Sequence, residues 1–367
     1  MASKVYFFDL RTDFGNNLLD KLGKVIRAAG IETINFKDHY AAIKLHFGEP
    51  GNLAFLRPNW AKVVADEVKK LGGKPFLTDC NTLYVGGRKN ALDHMDTAML
   101  NGYSPLSTGC QIIIADGLKG SDDTEVSINE KYVKEAKIGR AIMDADVFIS
   151  LTHFKGHEST GFGGTLKNIG MGSGSRRGKM EMHSAGKPHV IADLCINCHR
   201  CAKICAHDAP RFDTGKCVID HTRCVGCGRC LAVCPKDAIV SGGDNTNDIL
   251  NCKMMEYAKA VLKDRPSFHI SIAIDISPNC DCHSENDSPI VPNIGIFASF
   301  DPVALDQACA DAVNKMPVNP NTMLSEAHQH THDHFDDVHP STNWKQGLEY
   351  AESIGLGTRE YELVKVK

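Results

Sequence analysis

The sequence predicts an α/β domain, with a mixed, mostly parallel sheet flanked by helices, interrupted by a small cysteine-rich α+β module. Short β-branched apolar runs alternate with helix-period segments through the first part of the chain. That rhythm stops in a run of closely spaced cysteines, and it resumes after Gly242-Gly243. The reading is one α/β domain in two parts, 1–187 and 244–367, with residues 188–243 inserted between them.

The individual elements follow from local pattern. Val5 to Leu10, Ala41 to Phe47, Pro75 to Cys80, Gln111 to Asp116 and Asp146 to Thr152 are short apolar runs and read as strands. Helices fill the gaps at Asn16 to Ala29, Arg57 to Leu71, Arg88 to Asn101 and Ala136 to Ala145; the second is stopped by Gly72-Gly73. Repeated strand, helix, strand order implies parallel strands covered on both faces. Gly161 to Gly178 holds seven glycines in eighteen residues and reads as a loop opening into a helix start at Gly164 to Ile169. Beyond the cysteines, Asp248 to Lys263 and Asp301 to Lys315 read as helices, and Phe268 to Ile276 and Ile294 to Ala298 as strands.

Composition narrows the class. The 367 residues are 42% hydrophobic, enough for a sizeable core, and the net charge of -4 gives no electrostatic footprint for nucleic acid. No stretch approaches the roughly 20 apolar residues of a membrane span, and the N-terminus lacks a secretory apolar region. A cytoplasmic location is expected, where fifteen cysteines stay reduced and clustered ones serve metal or catalysis.

Their spacing is the most specific signal. CINCHRCAKIC supplies Cys195, Cys198, Cys201 and Cys205, and CVGCGRCLAVCP supplies Cys224, Cys227, Cys230 and Cys234. This is the bacterial ferredoxin spacing, twice: three successive thiolates curl around one 4Fe–4S cluster and the fourth reaches the other. Cys195, Cys198, Cys201 and Cys234 are assigned to one cluster, and Cys205, Cys224, Cys227 and Cys230 to the second. Pro235 follows the last cysteine as the pattern expects, while Ala206 stands where a proline would follow Cys205. Two structural zinc sites are the alternative, for which evenly spaced triple cysteines are poor spacing. Cys217, in a short strand between the runs, is read as packing.

A cluster needs a partner site, and open α/β sheets place ligands beyond the strands' carboxyl ends. Three polar stretches fall there. KLHFGEPGN carries Lys44, His46 and Glu49, and TDCNTLYVGGRKNALDH carries Asp79, Cys80, Asn81, Tyr84, Arg88 and His94. The third stretch carries His153, Lys155, His157, Lys167, Arg176, Arg177, Lys179 and His183 among the glycines. Lys44, His46, His153 and His157 are the acid/base candidates. Gly163, Gly164, Lys167, Arg176 and Lys179 form the candidate anion-binding loop, with a packing loop as the alternative. Cys280, Cys282 and His283, near Asp281, Glu285 and Asp287, are further candidate metal ligands, or else a buried cysteine pair beside weak acids. His328, His330, His332, His334 and His339 offer a metal site or a solvated loop.

The runs KLHFGEPGN, HFKGHESTGFGGTLKNIGMG, SPNCDCHSENDSPIVPNIG and FDPVALDQACAD resemble the family known as domain of unknown function 362, over nearly the whole chain. That resemblance implies an uncharacterised Fe–S cluster-binding protein with a ferredoxin-type insert, and no particular substrate.

Three functions fit these expectations. The first is an oxidoreductase: two 4Fe–4S clusters charged by a redox partner (ferredoxin, flavodoxin or reductase) act on a small anionic substrate or cofactor in the α/β domain. The second is a non-catalytic electron carrier or adaptor, and the third a metal-dependent non-redox enzyme with structural clusters. The ligand assignment is testable directly. Cys198→Ser should lose about half of the iron and sulfide and Cys217→Ser neither; equal losses from both would overturn it.

Overall fold

The computed structural model describes residues 2–83, 86–183, 187–213, 215–224, 226, 229–241, 247–327 and 331–367. Tyr84, Cys227, His328 and His330 lie outside them.

The strands of the main sheet are β1 (Ser3–Asp9), β2 (Tyr40–Lys44), β3 (Lys74–Asp79), β4 (Gln111–Ile114), β5 (Val147–His153), β6 (Ser267–Ala273), β7 (Gly295–Ser299) and β8 (Tyr361–Lys365). They lie in the order β8-β1-β7-β6-β5-β2-β3-β4. β7 runs antiparallel to both neighbours, and every other pair in the sheet is parallel. The central strand β5, VFISLTH, is buried at every position, as expected for a parallel strand covered on both faces.

Helices α1 (Leu18–Ala28) and α2 (Pro58–Lys70) cover one face, where Leu22, Ile26, Trp60 and Val64 pack with Ile43, Leu77, Ile149 and Ile270. Helices α4 (Thr165–Ser173), α6 (Asn247–Leu262) and α7 (Pro302–Asn314) cover the other, where Ile169, Tyr257 and Leu305 meet Phe148 and Phe297. Between these, α3 is Ala91–Leu100 and α5 is Arg176–His183, and α8 is Trp344–Ser353. Phe148 and Ile149, adjacent in β5, enter opposite cores because strand side chains alternate. Capping fixes where helices begin: Asn17 and Asp20 form a capping box on α1, and Asp301 accepts the Val303 and Ala304 amides of α7 behind Pro302. Among the described residues, no helix is long and apolar enough to cross a membrane.

Three expectations change. Ala136 to Ala145 does not form a helix: Glu135–Gly139 is a strand paired with Asp123–Ser127, and only Arg140–Met143 is helical. The hairpin wins because Ala136 and Ile138, two apart, reach the core together. The glycine-rich run is mostly the two helices α4 and α5 rather than an open loop. Strand β8 was not anticipated; it joins the sheet beside β1.

Within the cysteine-rich segment, Pro188–Val190 pairs antiparallel with Ile239–Ser241, so its entry and exit lie side by side. Pro210–Arg211 pairs with Val218–Ile219, the short strand expected around Cys217, and short helices occupy Arg200–Ile204 and Arg229–Ala232. Its apolar centre, including Cys195, Cys201, Cys217, Ile219 and Leu231, also takes in Leu83 and Met180 from the α/β part.

The core holds a titratable probe of its own burial. His269 of β6 is fully buried, shares a hydrogen bond with Ser150 Oγ at 3.0 Å, and is held by burial at a pKa of about 3, against 6.5 ordinarily. Between those values the unfolded chain binds a proton that the native chain does not. The stability tied to this group is therefore present above pH 6.5 and is lost as pH falls toward 3. His269→Gln should flatten the acid loss of unfolding free energy by about 1.4 kcal/mol per pH unit between about pH 6 and 4. Urea titrations giving equal slopes for both chains would contradict this.

Candidate functional site

The carboxyl ends of the parallel strands carry the charged residues. Lys44 ends β2 and Asp79 ends β3, and their side chains pair at 2.9 Å, both buried. Arg88 extends the array, with Nε 2.7 Å from Glu49 Oε2 and Nη1 3.7 Å from Asp79 Oδ2. Burial pushes the Lys44 pKa down, and Asp79 works against that shift. Burial opposes the Asp79 charge in turn, but Lys44, His94 and Arg88 together hold its carboxyl below the usual range. Lys44 Nζ also donates to Asn168 Oδ1 of α4 at 2.9 Å.

Above this array lies a cavity of about 70 Å³, room for a few waters or a small polar molecule. Four lysines line it, Lys44, Lys155, Lys167 and Lys179, against two carboxylates, Asp79 and Glu158. Lys155 Nζ lies 3.4 Å from Asp281 Oδ2. Lys179 Nζ donates to the Gly174 carbonyl at 2.5 Å, and among the described residues no carboxylate pairs with it. His46, His157 and His183 complete the polar wall. His46 Nδ1 accepts the Gly48 amide and His157 Nδ1 the Ser159 amide, each at 3.0 Å, which leaves the proton of each neutral ring on Nε2. Burial, then Arg88, holds His46 well below its ordinary pKa, while burial and Lys167 lower His157. His183 is held at about 3 by burial, His157 and Lys167.

At one side of the cavity sits a thiol group. Cys280 Sγ accepts from Lys167 Nζ at 3.1 Å and from the Cys282 amide at 3.4 Å. A hydrogen bond from the Cys282 thiol, and then Lys167, hold the Cys280 thiol well below its usual pKa despite burial. Burial works against the Lys167 charge, but the two sulfurs outweigh it and raise its pKa. Donor atoms of His157, Cys280 and Cys282 lie within 4.8 Å of one another, as do those of Glu158, Cys282 and His283. Glu158 is bonded to His283 at 3.0 Å; burial opposes its charge, yet His283 and His157 hold its carboxyl down at about 2.

In the cysteine-rich segment, Cys195, Cys198, Cys201 and Cys234 line one cavity together with Cys217. Backbone amides point at the sulfurs: Cys217 N–H to Cys195 Sγ at 3.5 Å, Ala238 N–H to Cys234 at 3.2 Å, and Ala209 and Gly226 N–H to Cys205 and Cys224 at 3.4 Å each. Cys217 Sγ is 3.6 Å from Cys201 Sγ. Cysteines around one cavity with amide donors at their sulfurs are chemically consistent with a metal or cluster, although among the described residues no three of them bring their sulfurs within 4.8 Å of one another.

The family model described as domain of unknown function (DUF362) matches residues 41–311, which include every residue lining both cavities. The chain belongs to the DUF362 family. No curated protein matches it. Among solved structures, it is similar to the lactate racemase apoprotein from Thermoanaerobacterium thermosaccharolyticum, at 13% identity and a TM-score of 0.36, covering 74% of this chain and 51% of that one. A structural-genomics protein from Thermotoga maritima is similar at 14% identity and a TM-score of 0.41, covering 83% and 60%. The chain thus spans between about half and three-fifths of the chains it matches.

In this DUF362 chain, the expected residues part into those on the cavity and those behind it. Lys44, His46, His157, Gly164, Lys167, Lys179, His183 and Cys282 line it. His153 does not: its Nδ1 bonds Asp281 at 2.9 Å and its Nε2 the Ile274 carbonyl at 2.8 Å, so it braces the 274–281 loop. Arg176 is also elsewhere, donating to the Thr82 and Lys119 carbonyls. The helix start expected to offer amides to an anion is taken by the protein itself: Asp306 accepts from Thr165 N–H at 2.6 Å and Leu166 N–H at 2.9 Å. The glycines serve close approach instead. A side chain at Gly164 would strike Asp306, one at Gly172 the Lys44 ammonium, and Gly163 lies under the stems of Lys155 and Lys167. His334 and His339 donate to the Met316 and Pro278 carbonyls, and among the described residues the 332–339 histidines form no metal-spaced group.

Asp306, Asn168 and Glu158 were not singled out from sequence. Asp306 had a usable signal, a carboxylate among the apolar positions of PVALDQACAD. The buried pair also makes a prediction. Lys44→Met removes the closest cation from buried Asp79 and should cost about 3–5 kcal/mol, whereas Lys179→Met, which breaks no direct ion pair, should cost clearly less. Equal losses in chemical denaturation would contradict the pairing.

Proposed function

We propose that this chain is an iron–sulfur oxidoreductase that exchanges single electrons with a small anionic molecule held in the four-lysine cavity. The observation that carries the reading is the shared wall between the two cavity-bearing regions. Thr82 and Lys179 line the lysine cavity, and their chain neighbours Leu83 and Met180 pack into the cysteine-rich core. Lys89 and Asp237 add an ion pair across the same junction at 2.6 Å.

Cys195, Cys198, Cys201 and Cys234 would hold one 4Fe–4S cluster, and Cys205, Cys224, Cys227 and Cys230 the other. When bound, such clusters supply or accept one electron each at potentials tuned by hydrogen bonds to sulfur. The amides facing Cys195, Cys205, Cys224 and Cys234 are donors of that kind.

The chain's own residues supply the rest. Lys44, Lys155 and Lys167 already face Asp79, Asp281 and Cys280, but Lys179 has only carbonyl partners among the described residues, and it is this ammonium that a bound carboxylate or phosphate would offset. His46 and His157 stay neutral near pH 7 and carry a proton on Nε2, suited to exchange with a substrate whose charge changes by one electron. Burial of Lys44, Lys155, Lys179 and His157 strengthens each of these interactions. A ferredoxin, flavodoxin or reductase in a reducing, cytoplasmic setting would charge the clusters. An electron carrier or adaptor would have no need for a buried lysine pocket.

Dithionite-reduced protein, mixed anaerobically with a panel of small oxidised carboxylates and phosphates, should be reoxidised by a member of the panel, seen as return of visible cluster absorbance. Lys179→Gln should slow that reoxidation with iron content unchanged. Equal rates in the two proteins would contradict a substrate site in the cavity and leave a carrier.

A further inference from the structure

We infer that Cys280, Cys282 and His157 form a divalent transition-metal site opening on the four-lysine cavity. The inference rests on reading that cavity as the substrate site, and it adds a Lewis-acid centre distinct from the cluster cysteines.

Three features carry it. The donor atoms of these residues already lie within 4.8 Å of one another, and two thiolates with one imidazole suit a borderline-soft ion such as Zn²⁺ or Fe²⁺. The loop that brings them together is pinned. The Glu49 amide donates to the Asp281 carbonyl at 3.1 Å, the Gly156 amide to the Ser277 carbonyl at 2.8 Å, and His339 to the Pro278 carbonyl at 2.8 Å. Asp281, between the two cysteines, is buried and held by His153 and Lys155. Finally, Cys282 and His157 both line the cavity, so the position that three protein ligands leave open faces it. Cys₂His with an open fourth position is a catalytic rather than a structural zinc arrangement.

The neighbouring charges are consistent with this. Lys167, 3.1 Å from Cys280 Sγ, supplies a positive charge that the thiols face. A dication bound by two thiolates takes over that role and leaves the ammonium beside the open position, where an anionic ligand would meet both. The second donor group, Glu158, Cys282 and His283, is more exposed, and its Glu158–His283 pair is already made. Those two residues fit better as an outer layer. Ligation by His157 uses or relocates the lone pair that accepts the Ser159 amide, so this hydrogen bond is the one that metal binding breaks, and with the metal bound proton exchange falls to His46 alone.

The test uses anaerobic, cluster-loaded full-length protein titrated with Zn²⁺, then desalted and analysed for zinc, iron and sulfide. One zinc per chain beyond the clusters is expected, with X-ray absorption showing sulfur at about 2.3 Å and nitrogen at about 2.0–2.1 Å. Cys280→Ser and Cys282→Ser should each weaken zinc binding by more than the about 10–100-fold typical of an outer partner, with iron and sulfide unchanged. No retained zinc, zinc unaffected by both substitutions, or a shell without sulfur would overturn the inference. Zinc bound as expected in protein that holds no iron would instead sink the cluster reading and leave this site standing.

Discussion

Buried positive charge at the carboxyl edge of the sheet is the constraint around which the rest of the site is arranged. An ammonium removed from water is tolerated only where an anion or a set of oriented acceptors replaces its hydration. Lys44 meets Asp79, Lys155 meets Asp281, and Lys167 meets Cys280, while Lys179 has carbonyls. Each partner is itself fixed by something further back: Asp79 by Arg88, and Asp281 by His153. Two glycines of the 161–178 run follow from the same demand, since Gly163 and Gly172 leave room for lysine stems and heads.

Much of this arrangement was legible because parallel strands buried on both faces are continuous apolar runs whose ends are easy to see. Lys44 and Asp79 could be placed at the sheet edge on that ground alone, and the cysteine runs are defined by spacing. What sequence could not supply were contacts between distant segments. Asp306 reaches the first turn of α4 across about 140 positions, so its amides looked free for an anion. His153 looked like an acid or base until Asp281 and the Ile274 carbonyl took both ring nitrogens. Ala136 to Ala145 carries apolar residues compatible with either period, and pairing with Asp123–Ser127 decided for the strand. Strand β8 depends on a partner at the opposite end of the chain.

The DUF362 match spans both regions, and the geometry gives a physical reason for them to occur together. The cysteine-rich segment leaves and rejoins the α/β part at adjacent strands, and its apolar centre is completed by Leu83 and Met180. Those residues are one step along the chain from the cavity wall, so the core of one region is also the backing of the other's site.

The most direct measurement is ⁵⁷Fe Mössbauer spectroscopy of anaerobically prepared protein before and after reduction. The account requires two 4Fe–4S clusters, each taking up one electron. Zinc in place of iron, or clusters that stay oxidised under strong reductant, would contradict it and leave the α/β scaffold and its lysine pocket without a redox role.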